Sequence, residues 1–166
     1  MVDQPGLRLG LGDSVNYEGD ADLVFSHLYG PLPKQLIGKP AIINLYGNKK
    51  AKAEEWCRAE LFEVSKWAKG LTNTIYVANT RLPHPVDLTD LVEDEFAPNR
   101  GWFPLELCVR MIAAVGEGTM SVGDRVFDGF MGRGTVGKAC QHFGIGFVGV
   151  DRDPGRIAIA KEYLGC

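Results

Sequence analysis

Apolar and polar positions in the last third of the chain follow a pattern typical of strand, turn, helix, strand and helix. The predicted elements are a strand at 125–127, a helix at 135–143, a strand at 147–150 and a helix from Pro154 onward. Ala139, Cys140 and Phe143 fall on one face of the first helix, and Asp153 before Pro154 is a favoured helix start. Alternation of this kind implies parallel strands joined by right-handed crossovers.

The first two-thirds of the chain has the same alternating character. Strands are predicted at 22–25, 41–46 and 74–77, and helices at about 51–69 and from Pro104. The longer helix is predicted because small or apolar residues share one face before Gly70, namely Ala53, Cys57, Leu61, Val64 and Ala68. Residues 80–101 are rich in proline and contain an acidic run, so we expect a connecting segment there.

Together these elements predict an α/β fold, a mostly parallel sheet with helices on both faces. The length of 166 residues suits a single domain. Hydrophobic residues make up 45% of the chain and charged residues 23%, which excludes wholesale disorder. The net charge of −3 argues against a protein that is held on nucleic acid by bulk positive charge alone.

Cysteine and histidine spacing indicates no metal site and no disulfide framework. The four cysteines form no CxxC pair, and the three histidines complete no zinc pattern, so we expect free thiols in a reducing compartment. The N-terminus has no signal-peptide pattern, and no apolar run approaches the roughly 18 residues that span a bilayer. We therefore expect a soluble, cytoplasmic protein with no membrane partner.

The glycine-rich turn at 129–138 is compatible with three ligands. Residues 132–138 have the GxxxxGK spacing of a phosphate-binding loop, but Ala139 stands where a serine or threonine would hold magnesium. The same residues contain a GxGxxG pattern after a strand, and Asp151 ends the next strand, as in a dinucleotide site. The third ligand is S-adenosylmethionine. It is cationic, and it therefore suits the additional carboxylate of Asp128 better than a phosphate does.

Several segments resemble, in order, the motifs of the β class of S-adenosylmethionine-dependent DNA amino-methyltransferases. Residues 128–135, Asp-Gly-Phe-Met-Gly-Arg-Gly-Thr, resemble the DPFxGSGT motif, and 148–154 resemble GIExDP. Residues 102–105 resemble the KPxxL helix start, and 12–14 resemble the GDS segment. Residues 22–29, Asp-Leu-Val-Phe-Ser-His-Leu-Tyr, resemble DLVxxSPPY. The catalytic loop precedes the cofactor loop, which is the circularly permuted order of this class.

This resemblance implies a Rossmann-like methyltransferase that transfers a methyl group from S-adenosylmethionine to adenine N6 or cytosine N4 of DNA. The serine at position 26 favours cytosine. The implied catalytic groups are the Ser26 hydroxyl, the His27 carbonyl and the Tyr29 ring, which would stack on a base flipped out of the duplex. The implied cofactor contacts are Asp13, Asp128, Phe130, Gly132, Gly134, Thr135 and Asp151. Residues 1–79 would form the catalytic half, 80–101 the connecting segment and 102–166 the cofactor half of one domain.

Two departures from the family pattern leave alternatives open. His27 and Leu28 replace the two prolines that stiffen the catalytic loop, and Gly129 replaces the proline of the cofactor motif. The segment available for target recognition, about 78–101, is short and acidic, so a second copy or a partner chain would supply that function. A protein that binds S-adenosylmethionine without methylating DNA is the alternative function, and a nicotinamide-binding enzyme is the third.

Overall fold

The fold of the protein is described from a computed structural model. It describes residues 2–4, 6–68, 72–92, 104–117, 120–121 and 123–166. The strands are β1 (Val2–Gln4), β2 (Leu7–Leu11), β3 (Leu23–His27), β4 (Ala41–Tyr46), β5 (Phe62–Trp67), β6 (Asn73–Ala78), β7 (Arg125–Asp128) and β8 (Gly146–Asp151). The helices are α1 (Lys50–Cys57), α2 (Leu105–Gly116), α3 (Thr135–Phe143) and α4 (Pro154–Leu164).

The eight strands of the described residues form one sheet in the order β1-β2-β8-β7-β3-β4-β6-β5. The pairings from β2 through β8, β7 and β3 to β4 are parallel, whereas β1, β6 and β5 pair antiparallel with their neighbours. The prediction of a mostly parallel sheet is therefore confirmed. The strands β1, β2 and β5 are additions that the hydrophobic pattern did not indicate.

The two faces of the sheet are covered unequally. Helices α2, α3 and α4 pack on one face, where Leu107, Met111, Val136 and Ile157 meet apolar side chains of the strands. The other face is covered by α1 and by residues of the segment between β3 and β4. Helices therefore lie on both faces, as predicted. None of the helices in the described part of the chain is long and apolar enough to cross a membrane.

The helix predicted at about 51–69 is wrong in its second half. Helix α1 ends at Cys57, because Arg58 adopts a left-handed conformation with φ of 50° and its N–H caps the last turn. Residues 62–67 instead form β5, which pairs with β6 across a register shift. The residues predicted to share one helix face are therefore divided: Cys57 packs on one face of the sheet and Ala68 on the other. Gly70 lies outside the described residues.

The topology brings the ends of two separate chain segments together at the centre of the sheet. From β7 the chain passes through α3 to β8 on one side, and from β3 it passes to β4 on the other. The crevice between such diverging crossovers, at the carboxyl ends of the strands, is where open α/β sheets bind ligands. Asp128 ends β7 and His27 ends β3 at this point.

Candidate functional site

Ser26 lies near the carboxyl end of β3 and is 1% exposed. The strand continues to His27, two residues beyond the predicted end, so Ser26 is held by the sheet rather than by a loop. Its Oγ donates to Asp128 Oδ1 at 2.7 Å and lies 3.2 Å from the His27 carbonyl oxygen. Because the hydroxyl hydrogen is directed to these acceptors, the lone pairs of Oγ remain available to accept a hydrogen bond.

Asp128 is a buried carboxyl group at the junction of the two halves of the site. Oδ1 accepts both the Ser26 hydroxyl and the Phe130 backbone N–H, the latter at 3.0 Å. Burial raises the pKa of Asp128 from 3.8 to about 7, against the lowering effect of these two hydrogen bonds, and the nearby Asp151 carboxylate adds to the rise. The Asp128 side chain is 1% exposed and does not line the cavity described below.

His27 and Leu28, which replace the family's two prolines, are both anchored. The Leu28 N–H donates to the Asn44 carbonyl at 3.3 Å, which extends the β3–β4 pairing beyond the strand end. The His27 imidazole Nδ1 lies 3.2 Å from Asn44 Nδ2. Its ring stacks on that of Tyr29, with centroids 4.5 Å apart and an interplanar angle of 8°. Tertiary contacts thus supply rigidity that proline would otherwise provide.

Tyr29 presents an aromatic ring at the mouth of the site. The residue is 55% exposed although one side of its ring meets His27. Its other aromatic contact is edge-on, with the Phe130 ring at 5.6 Å and 71°. An exposed aromatic ring with a fixed orientation is the kind of surface on which a planar base stacks.

The glycine turn after β7 is fastened to the end of β8. Gly132 and Gly134 have φ of 55° and 85°, a region that favours glycine. The Gly132 N–H donates to Asp151 Oδ2 at 3.1 Å, and the Met131 N–H donates to the Val150 carbonyl at 3.2 Å. Gly134 precedes the first residue of α3, Thr135, whose side chain is buried.

Asp151 connects three segments of the site. Besides the Gly132 N–H, its carboxylate accepts the Asp153 N–H at 2.9 Å through Oδ1. Its backbone carbonyl accepts the Gly12 N–H at 2.9 Å, which brings the segment containing Asp13 alongside. The residue is buried yet lines the cavity described next.

A cavity of about 510 Å³ lies over the carboxyl ends of these strands. It is lined by Ser14, Tyr29, Gly129, Phe130, Asp151, Arg152, Asp153 and Arg156. This volume falls within the roughly 300–1,000 Å³ of small-molecule sites. Three of the predicted site residues are therefore in its wall, namely Tyr29, Phe130 and Asp151.

The other predicted residues surround this cavity without lining it. Asp128 accepts the N–H of Phe130 in the wall and the Ser26 hydroxyl, and His27 stacks on Tyr29. Gly132 bonds Asp151, and Gly134 precedes Thr135 at the start of α3. Asp13 lines a neighbouring cavity of about 400 Å³ together with Tyr17 and Val150. The Asp13 carboxylate also lies 4.0 Å from the Arg152 guanidinium.

Sequence reasoning missed four polar residues of the cavity wall: Ser14, Arg152, Asp153 and Arg156. Ser14, Arg152 and Asp153 belong to the quoted motif segments, and Asp153 was also expected to cap a helix, which the structure shows through the Gly155 N–H. Arg156 lies one helical turn after Asp153, and its guanidinium is 3.8 Å from Asp151 and 3.9 Å from Asp153. The three-residue spacing from Asp153 to Arg156 was the sequence signal that could have indicated Arg156.

The structure argues against a phosphate-binding loop. Lys138, which would have to reach the phosphates, donates instead to the Tyr163 carbonyl at 3.3 Å and lies over the Tyr163 ring. The cavity wall holds two carboxylates, Asp151 and Asp153. The wall also holds two guanidinium groups, Arg152 and Arg156, so its charge alone does not distinguish a cationic ligand from a pyrophosphate.

Three further expectations concern metal ligands, cysteines and the start of α2. No cluster of histidine, cysteine and acidic residues suitable for a metal is found among the described residues. All four cysteines are free. Trp102 and Phe103, which begin the predicted helix-start motif, lie outside the described residues, and α2 begins directly after Pro104.

A larger cavity of about 1020 Å³ lies at the opposite edge of the sheet. Phe62, Val77 and Asn79 are in its wall, at the start of β5 and the end of β6. Because β6 runs against β4, its end lies away from the carboxyl ends of the parallel strands. This cavity contains none of the predicted site residues, so its size does not identify it as the site.

Comparison with known proteins agrees with the geometry. The model of the N6/N4 methylase family, described as DNA methylase, matches residues 41–162, more than half of the chain. The fold is similar to that of TTHA0409 from Thermus thermophilus in complex with S-adenosyl-L-methionine, with a TM-score of 0.69 and 20% identity over 95% of this chain and 93% of that one. No curated protein sequence matches the chain.

Two other solved structures show the same fold at lower identity. The M1.HpyAVI complex with S-adenosylmethionine has a TM-score of 0.65 and 14% identity, over 95% of this chain and 100% of that one. The PvuII cytosine-N4-specific DNA methyltransferase also has a TM-score of 0.65 and 14% identity, over 93% of this chain and 85% of that one.

Proposed function

This chain belongs to the DNA methylase family, and from that premise we propose how its own residues methylate an exocyclic amino group of DNA with S-adenosylmethionine. The observation that carries the proposal is the position of Ser26. Its hydroxyl, near the end of β3, is bonded to Asp128, and Asp128 accepts the N–H of Phe130 in the wall of the cavity that Tyr29 and Asp151 also line.

Ser26 and His27 supply two hydrogen-bond acceptors for the amino group of the base. Such an amino group is a poor nucleophile because its lone pair is delocalised into the ring. With the Ser26 hydrogen directed to Asp128, Oγ accepts one amino N–H and the His27 carbonyl accepts the other. Both acceptors are fixed by the sheet, so the nitrogen is drawn toward a tetrahedral form without reorganising the protein. Bound S-adenosylmethionine supplies the electrophilic methyl group.

Tyr29 holds the base in place. The ring is exposed at the mouth of the site, and its plane is set by His27 on one side and Phe130 at its edge. A base taken out of the duplex gains stacking energy on such a ring, which offsets part of the cost of unstacking.

The cavity wall forms the cofactor site. Asp151 accepts the ribose hydroxyls, and Phe130 and the turn shaped by Gly132 and Gly134 pack against the ligand. Asp13 adds negative charge from the neighbouring cavity, in favour of a cation, and Asp128 holds the Phe130 N–H and the Ser26 hydroxyl. Thr135 begins α3 under the turn. Ser14, Arg152, Asp153 and Arg156 complete the wall.

Target recognition belongs to a second copy of the chain or to a partner chain. The net charge is −3, and the segment at 80–101 between the catalytic half (1–79) and the cofactor half (102–166) is short for a recognition domain. Affinity for duplex DNA depends mainly on phosphate contacts by lysine and arginine. Light scattering of the protein with and without duplex DNA tests this point. A species larger than the monomer on DNA supports it, and tight binding by a monomer contradicts it.

Two measurements test the proposed function. Calorimetry with S-adenosylmethionine, NAD and ATP should show binding of the first alone. Nucleoside analysis of DNA from a methylation-deficient host that expresses the protein should show N4-methylcytosine or N6-methyladenine, absent when Ser26→Ala is expressed. Binding of S-adenosylmethionine without modified nucleosides would favour the alternative, a cofactor-binding protein that does not methylate DNA.

A further inference from the structure

Four buried polar side chains form a cluster beside the catalytic strand, and no catalytic role has been given to three of them. The cluster, here the Asn44 cluster, consists of His27, Asn44, Trp67 and Asn73, and all four residues are buried. They lie on β3, β4, β5 and β6 at the same end of the sheet, and His27 and Asn44 are directly paired in the register. Polar groups in such a place are costly unless their hydrogen bonds are satisfied.

The indole of Trp67 fixes the orientation of the Asn44 amide. An indole N–H can only donate, and Trp67 Nε1 lies 2.7 Å from Asn44 Oδ1. The amide nitrogen therefore faces the other way, where it lies 3.1 Å from Asn73 Oδ1 and 3.2 Å from His27 Nδ1. The amide oxygen and both amide hydrogens of Asn44 are thus engaged.

The amide in turn fixes the proton of His27. The amide nitrogen carries only donors, so His27 Nδ1 must accept and cannot hold a proton. The ring proton then resides on Nε2, and a doubly protonated ring would place an N–H against the Asn44 N–H. The Trp67 indole on β5 thus sets the orientation of the Asn44 amide on β4, and that amide sets the tautomer of His27 on β3.

We propose that Asn44 is a positioning residue that holds His27 as the neutral Nε2–H tautomer, with its ring flat against Tyr29. The consequence for catalysis rests on the proposed function. A neutral, oriented imidazole keeps a positive charge away from the site of a cationic cofactor and keeps the stacking surface of Tyr29 in one orientation. The cluster thereby replaces the stiffness that the family obtains from prolines at 27 and 28.

Nuclear magnetic resonance of the wild-type protein tests the tautomer directly. The chain has three histidines, so variants His84→Gln and His142→Gln assign the His27 signals in a long-range nitrogen–proton spectrum. At neutral pH we expect the pattern of a proton on Nε2 and a bare Nδ1. A proton on Nδ1, or averaging between the two tautomers, would overturn the proposal, whether or not the protein methylates DNA.

The variant Asn44→Asp tests the positioning role. Its carboxylate can accept from Trp67 but cannot donate to His27, so Nδ1 should gain a proton, either in the other neutral tautomer or in the doubly protonated ring. We expect turnover to fall about 10-fold while S-adenosylmethionine affinity stays within about twofold. Asn79→Asp is the matched control, since the Asn79 amide follows the end of β6 and donates to the Lys39 carbonyl, away from His27. An unchanged His27 tautomer in folded Asn44→Asp would overturn the role, and if this variant does not fold, the wild-type spectrum alone decides.

Discussion

Ser26 Oγ lies 2.7 Å from Asp128 Oδ1, although the two residues are 102 positions apart in the chain. The contact joins the ends of β3 and β7, the two strands from which the crossovers diverge. It therefore ties β3 to the glycine turn after β7 with one buried hydrogen bond. Through it, the protonation of Asp128 and the orientation of the Ser26 hydroxyl are linked.

The raised pKa of Asp128 makes the stability of the protein depend on pH. Burial raises this pKa from 3.8 to about 7, so the native state holds the proton more tightly than the unfolded chain. The resulting stabilisation is fully present below pH 3.8 and is lost as the pH rises to about 7. Between these pH values, this group should lower the free energy of unfolding, measured in urea, by at most about 1.4 kcal/mol per pH unit.

Asp128→Asn should remove this decline. Asp20→Asn is the control, because its exposed carboxyl has a lowered pKa from the Ala21 N–H and Lys39 and cannot produce a decline in this range. The explanation fails if Asp128→Asn unfolds with the same pH dependence as the wild type.

Asp151→Asn should weaken cofactor binding. Each Asp151 carboxylate oxygen accepts one backbone N–H, from Gly132 or from Asp153, and an amide nitrogen in either position would face a donor. We expect a loss of S-adenosylmethionine affinity of about 10-fold or more in calorimetry. Asp153→Asn serves for comparison, since asparagine keeps an oxygen that can cap α4, and we expect a smaller loss of affinity. Equal effects of both variants would count against the role given to Asp151.

Loss of the Tyr29 ring should weaken methylation of the base without weakening binding of the cofactor. Tyr29→Leu removes the stacking surface, and a stacked base is worth about 1–3 kcal/mol, so kcat/KM for DNA should fall roughly 5- to 150-fold. Tyr29→Phe keeps the ring and should retain most of the activity. Steady-state methylation with DNA varied at saturating cofactor separates the two. Similar losses in both variants would show that the hydroxyl, and not the ring, is what matters.

Gly137 should resist substitution by alanine although it lies within helix α3. A Cβ at Gly137 would come within 2.6 Å of the Phe147 ring, so the helix could not keep its distance from β8. We expect thermal or urea unfolding to show a destabilisation of about 1–3 kcal/mol. Gly116→Ala in α2 would meet Met120 at an ordinary 3.5 Å and should be neutral or stabilising by up to about 1 kcal/mol. A neutral Gly137→Ala would contradict this packing.

Elements with local boundary signals could be predicted from the sequence. The structure has α3 at Thr135–Phe143 and β4 at Ala41–Tyr46, both as predicted, because glycines flank the first and a proline precedes the second. The pattern predicts helix at β5 because the small and apolar residues there continue the helical spacing of α1. What ends α1 is the left-handed Arg58, and arginine gives no local signal for that conformation.

The sequence motifs predicted which segments form the site, but not which side chains in those segments contact one another. The motifs indicated Asp151, Phe130 and Tyr29, and the structure has all three in one cavity wall. The bond from Ser26 to Asp128 and the Asn44 cluster depend on which strands become neighbours in the sheet. Hydrophobic periodicity gives the elements but not their order, so these contacts were beyond sequence reasoning.

A comparison of wild type and Ser26→Ala tests the central claim most directly. Single-turnover transfer of labelled methyl from saturating S-adenosylmethionine to duplex DNA should be about 100-fold slower in the variant, with the dissociation constant of the cofactor changed less than about threefold. Ser65→Ala, which removes another buried hydroxyl away from the site, should keep the wild-type rate. A Ser26→Ala variant that transfers methyl at the wild-type rate, or that loses cofactor affinity and rate equally, would contradict the role of Ser26 as the acceptor for the amino group.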